Sequence, residues 1–563
     1  MLDSFSLISG AYAPNEAEVT MKAKPDDGTP VVFDANDIGS ELLSLLSEGL
    51  YSNPLDALRE YVQNAVDAKS KTVNIRFTGG SVSIHDMGEG MTLEKIHVAR
   101  KFAVSTKQIS ANVGFRGIGI YSGFNLCKRM TILTKTKGDE IERELSFDFS
   151  SMRSIIVKER SLKSGVKTPL VKLLSNNVRL KEYKSRAALN DSFTQVQLQD
   201  ISELHYGLIS DSRSLRDYLV RNVPVDFEDD YPHRDLINGW LAYYSKPEPY
   251  NPVQINLYYD GKDTIAIRRE MPAGIKPPVL TLVGDEKKPT AIIWSCLTEG
   301  KGHIIVGRTK VGGFVYRRKG FTIGTRDLLA KFFTTGSGTL FYWYVGEVHV
   351  LDDKVVPNAA RNDFEQTDEF NVLKHKLTPA FKNLEKAGND HRERLNFETA
   401  LDRVIADIPR LTRVTATATD IAIRSEIESV IQELQSERAS LPPVLRSTRS
   451  KEFQETIKAL TNLDRLAEAR LVPADTSSEA ERESARAQAT ALAADLATDE
   501  GLDSEDDAEA LSLAAVFEDI AARDGEHPRI FEMILDVLED ALADNPEVYD
   551  VVCLRLSAGL SKL

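Results

Sequence analysis

A helical pattern followed directly by two alternating strands is the feature that most constrains the fold of this chain. Residues 37–70 have helical periodicity, and apolar and polar residues then alternate at 72–77 and 81–86. The Gly79–Gly80 pair between these two segments is typical of a tight hairpin turn. The same alternation recurs at 129–136, 144–150 and 193–201. A helix followed by mostly antiparallel strands predicts an α+β sandwich rather than a doubly wound parallel sheet.

The length and patterning of the chain predict several domains. Its 563 residues exceed what one hydrophobic core organises, and a second strand-rich region follows a helical stretch at 202–250. Residues 475–509 include twelve acidic residues, two arginines and no aromatic residue, which is typical of a linker or a surface helix. We predict a first domain at 1–205, an α/β middle domain at 206–370, a helical region at 371–470, an acidic linker at 471–510 and a C-terminal helical unit at 511–563.

Composition narrows the functional class. With 42 % hydrophobic and 28 % charged residues, the chain has the composition of an ordinary globular protein. Its net charge of −15 argues against nonspecific nucleic-acid binding by the chain as a whole, although local basic patches are not excluded. The three cysteines show no metal-ligand spacing, and no apolar run is long enough to span a bilayer. The first residues lack the pattern of a signal peptide, so we predict a cytoplasmic protein.

Four polar or glycine-rich segments occur in order in the first 200 residues. They are EYVQNAVDA at 60–68, DMGEGMT at 86–92, GFRGIGIYSG at 114–123 with STK at 105–107 before it, and SFTQVQL at 192–198. Glu60 and Asn64 lie one helical turn apart, and carboxylate and amide oxygens are ligands that Mg²⁺ prefers. A glycine-rich segment that leads into a helix can bind phosphate groups through its backbone N–H groups. No G-x-x-x-x-G-K-[ST] phosphate loop occurs, which argues against a P-loop nucleotidase.

Together these segments resemble the Bergerat-type, or GHKL, ATPase superfamily of gyrase, heat-shock chaperones, histidine kinases and MutL over residues 35–200. The resemblance implies ATP and Mg²⁺ as cofactors and hydrolysis of ATP to ADP and phosphate. It implies that Glu60 orients or deprotonates the attacking water, that Asn64 holds magnesium and that Asp86 accepts the adenine amine. The other residues that it places near the nucleotide are Asp67, Ala68, Gly88, Gly90, Met91, Lys107, Gly114, Gly117, Ile118, Gly119, Ile120 and Thr194.

Other interpretations of some of these residues stay open. Glu60 and Asp67 are also compatible with the solvated face of a helix, and Lys107 with an exposed lysine. Asp67, Ala68 and Lys71 could contact the nucleotide only through water, or cap and solvate the helix. The role of Asp67 is the least settled. Aspartate is a poor helix former, so its position within a helix needs an explanation.

A second resemblance lies beyond the first domain. FVYRRKGFTI at 314–323, followed by VVPNAARNDFEQ at 355–366, resembles the middle domain of the ninety-kilodalton heat-shock chaperones. In that family the arginine of the second segment reaches the ATP site, which implies that Arg361 stabilises the γ-phosphate. Pro357 and Asn358 would shape the turn that presents it. A guanidinium is always charged and forks onto phosphate oxygens, which suits this role. A helix cap or an ion pair between domains is the alternative for Arg361.

These resemblances lead to three functional hypotheses. The first is an ATP-hydrolysing conformational clamp that acts on protein partners as a homodimer. The second is a nucleic-acid-associated ATPase of the MutL or microrchidia kind, with a role in DNA repair, silencing or anti-phage defence. Ten basic residues against two acids at 153–186 favour it, although a solvated face explains that cluster as well. The third is a sensor kinase, which ranks last because no phospho-acceptor histidine helix precedes residue 60.

Overall fold

The structure, a computed structural model, divides the chain into two compact units, residues 1–396 and 397–563. It describes residues 34, 37–50, 53–105, 107, 112–114, 116–161, 167–246, 250–306, 309–334, 336–417 and 421–471. The linker predicted at 471–510, beyond its first residue, and the unit predicted at 511–563 lie outside the described residues. The domain boundaries expected at 205, 370 and 470 stay predictions.

Helices and strands are mixed throughout the first unit, and the described part of the second unit is helical. The helices up to residue 244 are α1 (Glu41–Leu50), α2 (Pro54–Asp67), α3 (Leu93–Ala99), α4 (Phe149–Arg160), α5 (Leu170–Asn177), α6 (Glu203–Ser210), α7 (Ser212–Asn222) and α8 (Arg234–Tyr244), with a 3-10 helix at Gly119–Gly123. The strands up to residue 201 are β1 (Thr72–Thr78), β2 (Ser81–Asp86), β3 (Cys127–Lys135), β4 (Ile141–Asp148), β5 (Val178–Lys184) and β6 (Phe193–Ile201).

The remaining elements follow in chain order. The strands are β7 (Gln254–Tyr259), β8 (Ile265–Ile267), β9 (Val279–Gly284), β10 (Pro289–Leu297), β11 (Ile305–Val306), β12 (Thr309–Lys310), β13 (Gly313–Arg318), β14 (Phe321–Ile323) and β15 (Tyr344–Val350). The helices are α9 (Asp327–Ala330), α10 (Asp368–Thr417), α11 (Ile421–Ser440) and α12 (Ser450–Leu471), with 3-10 helices at Gly336–Trp343 and Pro443–Leu445.

Helix α2, which carries the first motif, has clear start and stop signals. The Asn53 side chain accepts a hydrogen bond from the Leu55 backbone N–H at 3.0 Å, and Pro54 occupies the first turn, where its missing N–H costs nothing. The helix ends at Asp67, and Ala68 caps it. The apolar stripe of α2 is buried against the sheet and includes Leu55, Leu58, Val62 and Ala65. The polar side of the same helix is therefore left to face a cavity.

The first sheet has eight strands in the order β5-β4-β3-β6-β2-β1-β7-β8. Along β1, residues Val73, Ile75 and Phe77 are buried and alternate with more exposed ones, so one face of the sheet packs on helices. Strand β7 pairs in parallel with β1, from Thr72 opposite Gln254 to Phe77 opposite Tyr259. The sheet therefore continues past residue 205 into the region that follows.

The second sheet has five strands in the order β14-β13-β15-β10-β9 and is covered on both faces. On β10, Ala291 and Ile293 belong to a core that includes the first part of α10, whereas Ile292 and Trp294 belong to a core that includes α8. Because alternate residues of a strand point to opposite faces, this strand, which has a neighbour on each side, is buried throughout its middle.

The described part of the second unit is built from the end of α10 with α11 and α12. Its core contains Phe397, Leu401, Leu411, Ile427 and Leu460. The expected fold class, an N-terminal α/β sandwich, an α/β middle region and a helical C-terminal region, is confirmed. Among the described residues, no helix combines the length and apolar character needed to cross a membrane.

Candidate active site

The candidate residues from the four motifs converge on one cavity of the first unit, with a volume of about 1660 Å³. Helix α2, the end of β2, the described residues between 104 and 120, and strand β6 contribute to its walls. The candidate residues that line it are Glu60, Asn64, Asp67, Ala68, Asp86, Gly90, Met91, Lys107, Gly114, Gly117, Ile118, Gly119, Ile120, Thr194 and Arg361. Gly88 lies directly beside it, with its N–H donating to Asp86 Oδ1 at 2.8 Å.

Glu60 and Arg361, three hundred residues apart in sequence, are neighbours at this cavity. Arg361 Nε lies 3.4 Å from Glu60 Oε1, and Arg59 NH2 lies 3.5 Å from the same oxygen. The Glu60 and Arg361 side chains are each only 9 % exposed, so water screens their attraction weakly. The other oxygen, Oε2, faces Gly119, where a Cβ atom would lie only 2.8 Å away. A larger residue at 119 would therefore displace the candidate base.

Asn64 and Asp67, further along α2, form a polar group with Lys107 from outside the helix. Lys107 Nζ donates to Asn64 Oδ1 at 3.0 Å and to Asp67 Oδ2 at 2.8 Å. These oxygens thus hold a positive charge next to the predicted position of the phosphates. Asn64 Oδ1 is an oxygen of the kind that Mg²⁺ prefers, and Mg²⁺, which usually takes few protein ligands, would replace the Lys107 ammonium on it. Asn64 is the residue that would hold it.

Asp67 also holds the start of the glycine-rich segment. Its Oδ1 accepts a hydrogen bond from the Val113 N–H at 2.7 Å, and its Oδ2 accepts one from the Gly114 N–H at 3.0 Å. The Asp67 side chain is only 3 % exposed, so it does not lie on a solvated face of the helix. Asp67 therefore fastens the segment over the cavity to helix α2, a contact that the helix sequence alone did not predict.

The predicted adenine end lies where β2 and β6 pair. Asp86 is opposite Thr194 in the sheet, and the Thr194 hydroxyl lies 3.2 Å from that of Thr134 on β3. Thr134 Oγ1 accepts the Met91 N–H at 2.9 Å. Burial raises the pKa of the Asp86 carboxyl to about 6, and the hydrogen bond from Gly88 opposes that rise. A buried carboxylate with an unshared oxygen can accept an amine.

The glycine-rich segment approaches other backbone closely. Gly117 has φ +70°, and a Cβ atom there would lie 2.3 Å from the Val104 carbonyl oxygen. Ala103 donates its N–H to the Gly117 carbonyl at 3.2 Å, which ties the segment to residues 103–104. Only glycine allows both that conformation and that approach. The 3-10 helix at Gly119–Gly123 begins immediately after it.

Backbone hydrogen bonds within the loop that carries Arg361, and one from Gly324 after β14, hold this loop. Asn358 donates its N–H to the Asp363 carbonyl at 2.9 Å, and Gly324 donates to the Arg361 carbonyl at 2.9 Å. Arg361 has φ +57°, a left-handed conformation that costs energy for a residue other than glycine. Its NH2 group donates to the Val113 carbonyl at 3.0 Å. The backbone strain therefore occurs at the residue whose side chain reaches the cavity.

Three residues at the site were not assigned from the sequence. Thr134 joins the backbone of Met91 to Thr194, and a threonine on a strand gives no signal of this by itself. Gln63 is 1 % exposed on the cavity wall, and a buried glutamine within a helix is a signal that was overlooked. Arg116 donates to the Pro357 carbonyl at 2.9 Å and to Glu365 at 2.5 Å. It joins the glycine-rich segment to the Arg361 loop.

The basic residues noted elsewhere in the sequence are partly used in structural contacts. In the cluster at 153–186, Arg153 donates to the Cys127 carbonyl at 3.0 Å, and Arg160 pairs with Glu41 at 2.5 Å. In FVYRRKGFTI, Arg317 is buried against Glu347 at 2.7 Å. Burial alone would raise the pKa of Glu347, but Arg269 and Arg317 together hold it well below its usual range. Arg317 is therefore part of a buried ion pair.

ATP binding is expected to weaken as the pH falls through about 6. At a pH below its raised pKa, Asp86 is protonated and loses the negative charge that favours an amine donor. At a pH well above that pKa, the carboxyl group is fully ionised. Binding of a fluorescent ATP analogue between pH 5 and 8 measures this directly. Asp86→Asn should abolish binding across the whole range. Tight binding by that variant would contradict the adenine assignment.

Comparison with known proteins identifies a family model that matches part of the region with the motifs, and relatives that match part of the chain. Residues 51–175 match the family model described as histidine kinase-, DNA gyrase B- and HSP90-like ATPase. The chain is 29 % identical over 153 residues to the chaperone protein HtpG of Shewanella frigidimarina, covering 20 % of this chain and 24 % of that protein. It is 29 % identical over 170 residues to the putative type II restriction enzyme HgiDII of Herpetosiphon aurantiacus, covering 27 % of each. The chain thus spans about a quarter of the length of these curated relatives.

Proposed function

We propose that this chain, whose residues 51–175 carry the ATPase domain of the histidine kinase-, DNA gyrase B- and HSP90-like superfamily, is an ATP-hydrolysing conformational clamp. The single observation that carries the proposal is the contact between Glu60 and Arg361 at 3.4 Å. It joins the candidate base of the nucleotide region to the candidate arginine of the region after β15. A site assembled from two distant parts of a chain is suited to couple hydrolysis to their relative movement.

Each residue has a chemical task in this proposal. Asp86 accepts the adenine amine, with Thr194 and Thr134 fixing the neighbouring backbone. Asn64 holds Mg²⁺, which when bound supplies positive charge to the phosphates. Backbone N–H groups of the segment 114–120 bind the phosphate oxygens. Glu60 orients the attacking water and accepts its proton.

Arg361 would exchange partners during the cycle. Beside Glu60 its guanidinium neutralises a buried carboxylate, and its approach to the γ-phosphate would free that carboxylate to accept a proton. A guanidinium on the γ-phosphate stabilises the charge that develops on the equatorial oxygens. This exchange reconciles the ion pair with a catalytic role for the same residue.

Contacts between the glycine-rich segment and the Arg361 loop would convert ATP binding into movement. Arg116 contacts Pro357 and Glu365, and Arg361 contacts the Val113 carbonyl. A phosphate that orders the segment 113–119 would therefore pull on the loop at 357–365. Hydrolysis removes the γ-phosphate contacts and lets both relax.

We also propose the cellular location, the oligomeric state and the partners of this ATPase. We place the clamp in the cytoplasm, acting as a homodimer on protein partners. The match to chaperones named HtpG supports this choice, within the quarter of their length that the match covers. The similarity to a putative restriction enzyme supports the alternative, a nucleic-acid-associated ATPase of the MutL or microrchidia kind.

Size in solution tests the clamp. We expect the full chain to dimerise or to become more compact when a non-hydrolysable ATP analogue binds, because γ-phosphate contacts draw two regions together. Analytical ultracentrifugation and small-angle X-ray scattering measure both changes. ADP serves as the control nucleotide. ATP turnover without any change in size would leave an ATPase but contradict a clamp.

A further inference from the structure

The cavity that holds the nucleotide residues is larger than one nucleotide needs. Its volume of about 1660 Å³ exceeds the roughly 300–1,000 Å³ of ordinary small-molecule sites. Beyond the motif residues, its wall continues along the loops of the five-stranded sheet and the end of α8. This second part takes no role in the proposed ATP chemistry.

Sheet topology brings three basic loops to one edge. Strands β13 and β15 are parallel, with Arg318 opposite Val350, and β10 is antiparallel to β15, with Ala291 opposite Val350. The turn after β13, the loop after β15 and the turn before β10 therefore lie side by side. We call their cavity-lining cations, Lys319, Lys354, Lys287 and Lys288, the basic edge.

Three of the four lysines of the basic edge present their charge to solvent. Lys287, Lys288 and Lys354 are exposed, and none of them forms an ion pair with a described carboxylate. The lining acids here are Asp352 and Asp353, of which Asp353 pairs with Arg318 at 2.6 Å. Asp285 and Glu286 precede the two lysines in the same turn; Asp285 accepts the backbone N–H groups of both lysines, and neither acid lines the cavity.

An exposed aromatic side chain lines the same cavity as these cations. Tyr243, near the end of α8, lines the same cavity and is 63 % exposed. Lys246 Nζ lies 4.9 Å from the centre of its ring, and Tyr244 lies edge-on to it with ring centres 4.9 Å apart. An aromatic face beside lysines is the combination that binds single strands, because bases stack on the ring and phosphates meet the ammonium groups.

The two parts of the cavity are joined by close backbone packing. Gln254 donates its N–H to the Lys71 carbonyl at 2.9 Å, which links the start of β7 to the end of the α2 region. Tyr250 packs against the turn at Gly320, where a Cβ atom would lie 2.9 Å from its ring. A ligand on the basic edge would therefore lie in the same cavity as the nucleotide, on a wall continuous with it.

We infer that the basic edge binds the phosphodiester backbone of a single-stranded nucleic acid, with a base stacked on Tyr243. The lysines offer the point charges that phosphates need, and the exposed tyrosine favours a nucleic acid over an acidic peptide. The chain carries a net charge of −15, so we expect a nucleic acid to bind a local cationic surface and not the chain as a whole. This goes beyond the clamp, because it assigns a second ligand whose binding does not depend on ATP turnover.

Binding of labelled 20-nucleotide DNA and RNA strands to the full chain, followed by fluorescence anisotropy between 50 and 200 mM salt, tests the inference. We expect Lys287→Glu/Lys288→Glu to weaken binding about tenfold or more and to reduce the slope of log K against log salt by about 1.4, since each phosphate contact contributes about 0.7. Tyr243→Ala should weaken binding with little change in that slope. Thermal unfolding of each variant checks that it is folded.

A matched control is Lys181→Glu/Lys184→Glu, which reverses two exposed lysines of β5 in the other basic cluster. It should bind the strands like the unmodified chain. If only this control loses binding, the site lies on β5 and the inference is wrong. Absence of binding at 50 mM salt, equal binding by all variants, or tighter binding of polyglutamate than of either strand would also overturn it. Stronger binding of duplex than of single strands would overturn the stacking on Tyr243.

Discussion

Glu60→Gln is expected to lower ATP turnover about 10²–10⁴-fold while the protein still binds ATP, because a positioned general base contributes that much to a proton transfer. Glutamine keeps the shape of the side chain and its place against Gly119 but cannot accept the proton of the attacking water. Single-turnover hydrolysis with a parallel binding measurement separates the two effects. The loss should appear in the rate constant for hydrolysis.

Glu89→Gln is the matched control for this variant. Glu89 lines the same cavity, but its carboxylate is 48 % exposed and pairs with Lys69 at 3.0 Å and Lys95 at 3.4 Å. Its replacement should change turnover little, because an exposed ion pair contributes little. Unchanged turnover in Glu60→Gln would remove Glu60 from the role of base. An equal loss in both variants would point to a general effect of charge in the cavity.

Arg361→Ala should bind ATP and hydrolyse it about 10³-fold more slowly, by analogy with arginines that stabilise the transferred phosphoryl group in GTPases. Arg361→Lys retains a charge but not the planar fork, so it should recover only a small part of that rate. Single-turnover kinetics at saturating ATP measure the effect on chemistry, and thermal unfolding measures the effect on folding.

The alternative for Arg361, an ion pair that only joins two regions, predicts a different result. Removal of one partner of a nearly buried pair would then lower the unfolding temperature and leave hydrolysis near normal. The double variant Glu60→Gln/Arg361→Ala adds a further distinction. If the two groups act on one transition state, their combined loss should be much smaller than the product of the single losses. Multiplicative losses would indicate that the two residues act independently.

The sequence predicted much of the local structure because local signals agree with each other. Strand β6 matches the segment predicted at 193–201, and the hairpin of β1 and β2 turns at Gly79 and Gly80 as expected. Helices α4 and α5 were not predicted, because the cluster at 153–186 was interpreted by its charges and not by the spacing of its apolar residues. The parallel pairing of β1 with β7 joins residues about 180 positions apart, and no local pattern encodes such a partner.

At the candidate site, too, the residues could be identified from the sequence, whereas the contacts between distant segments could not. The resemblance of the four motifs to the GHKL superfamily selected residues that, apart from Gly88, line the cavity. The roles assigned to them stay predictions for the experiments above. The contacts of Asp67 with Val113 and Gly114, of Arg361 with Glu60, and of Arg116 with Glu365 became visible in the folded chain. These depend on how separate elements pack, and packing is a property of the whole chain rather than of any segment.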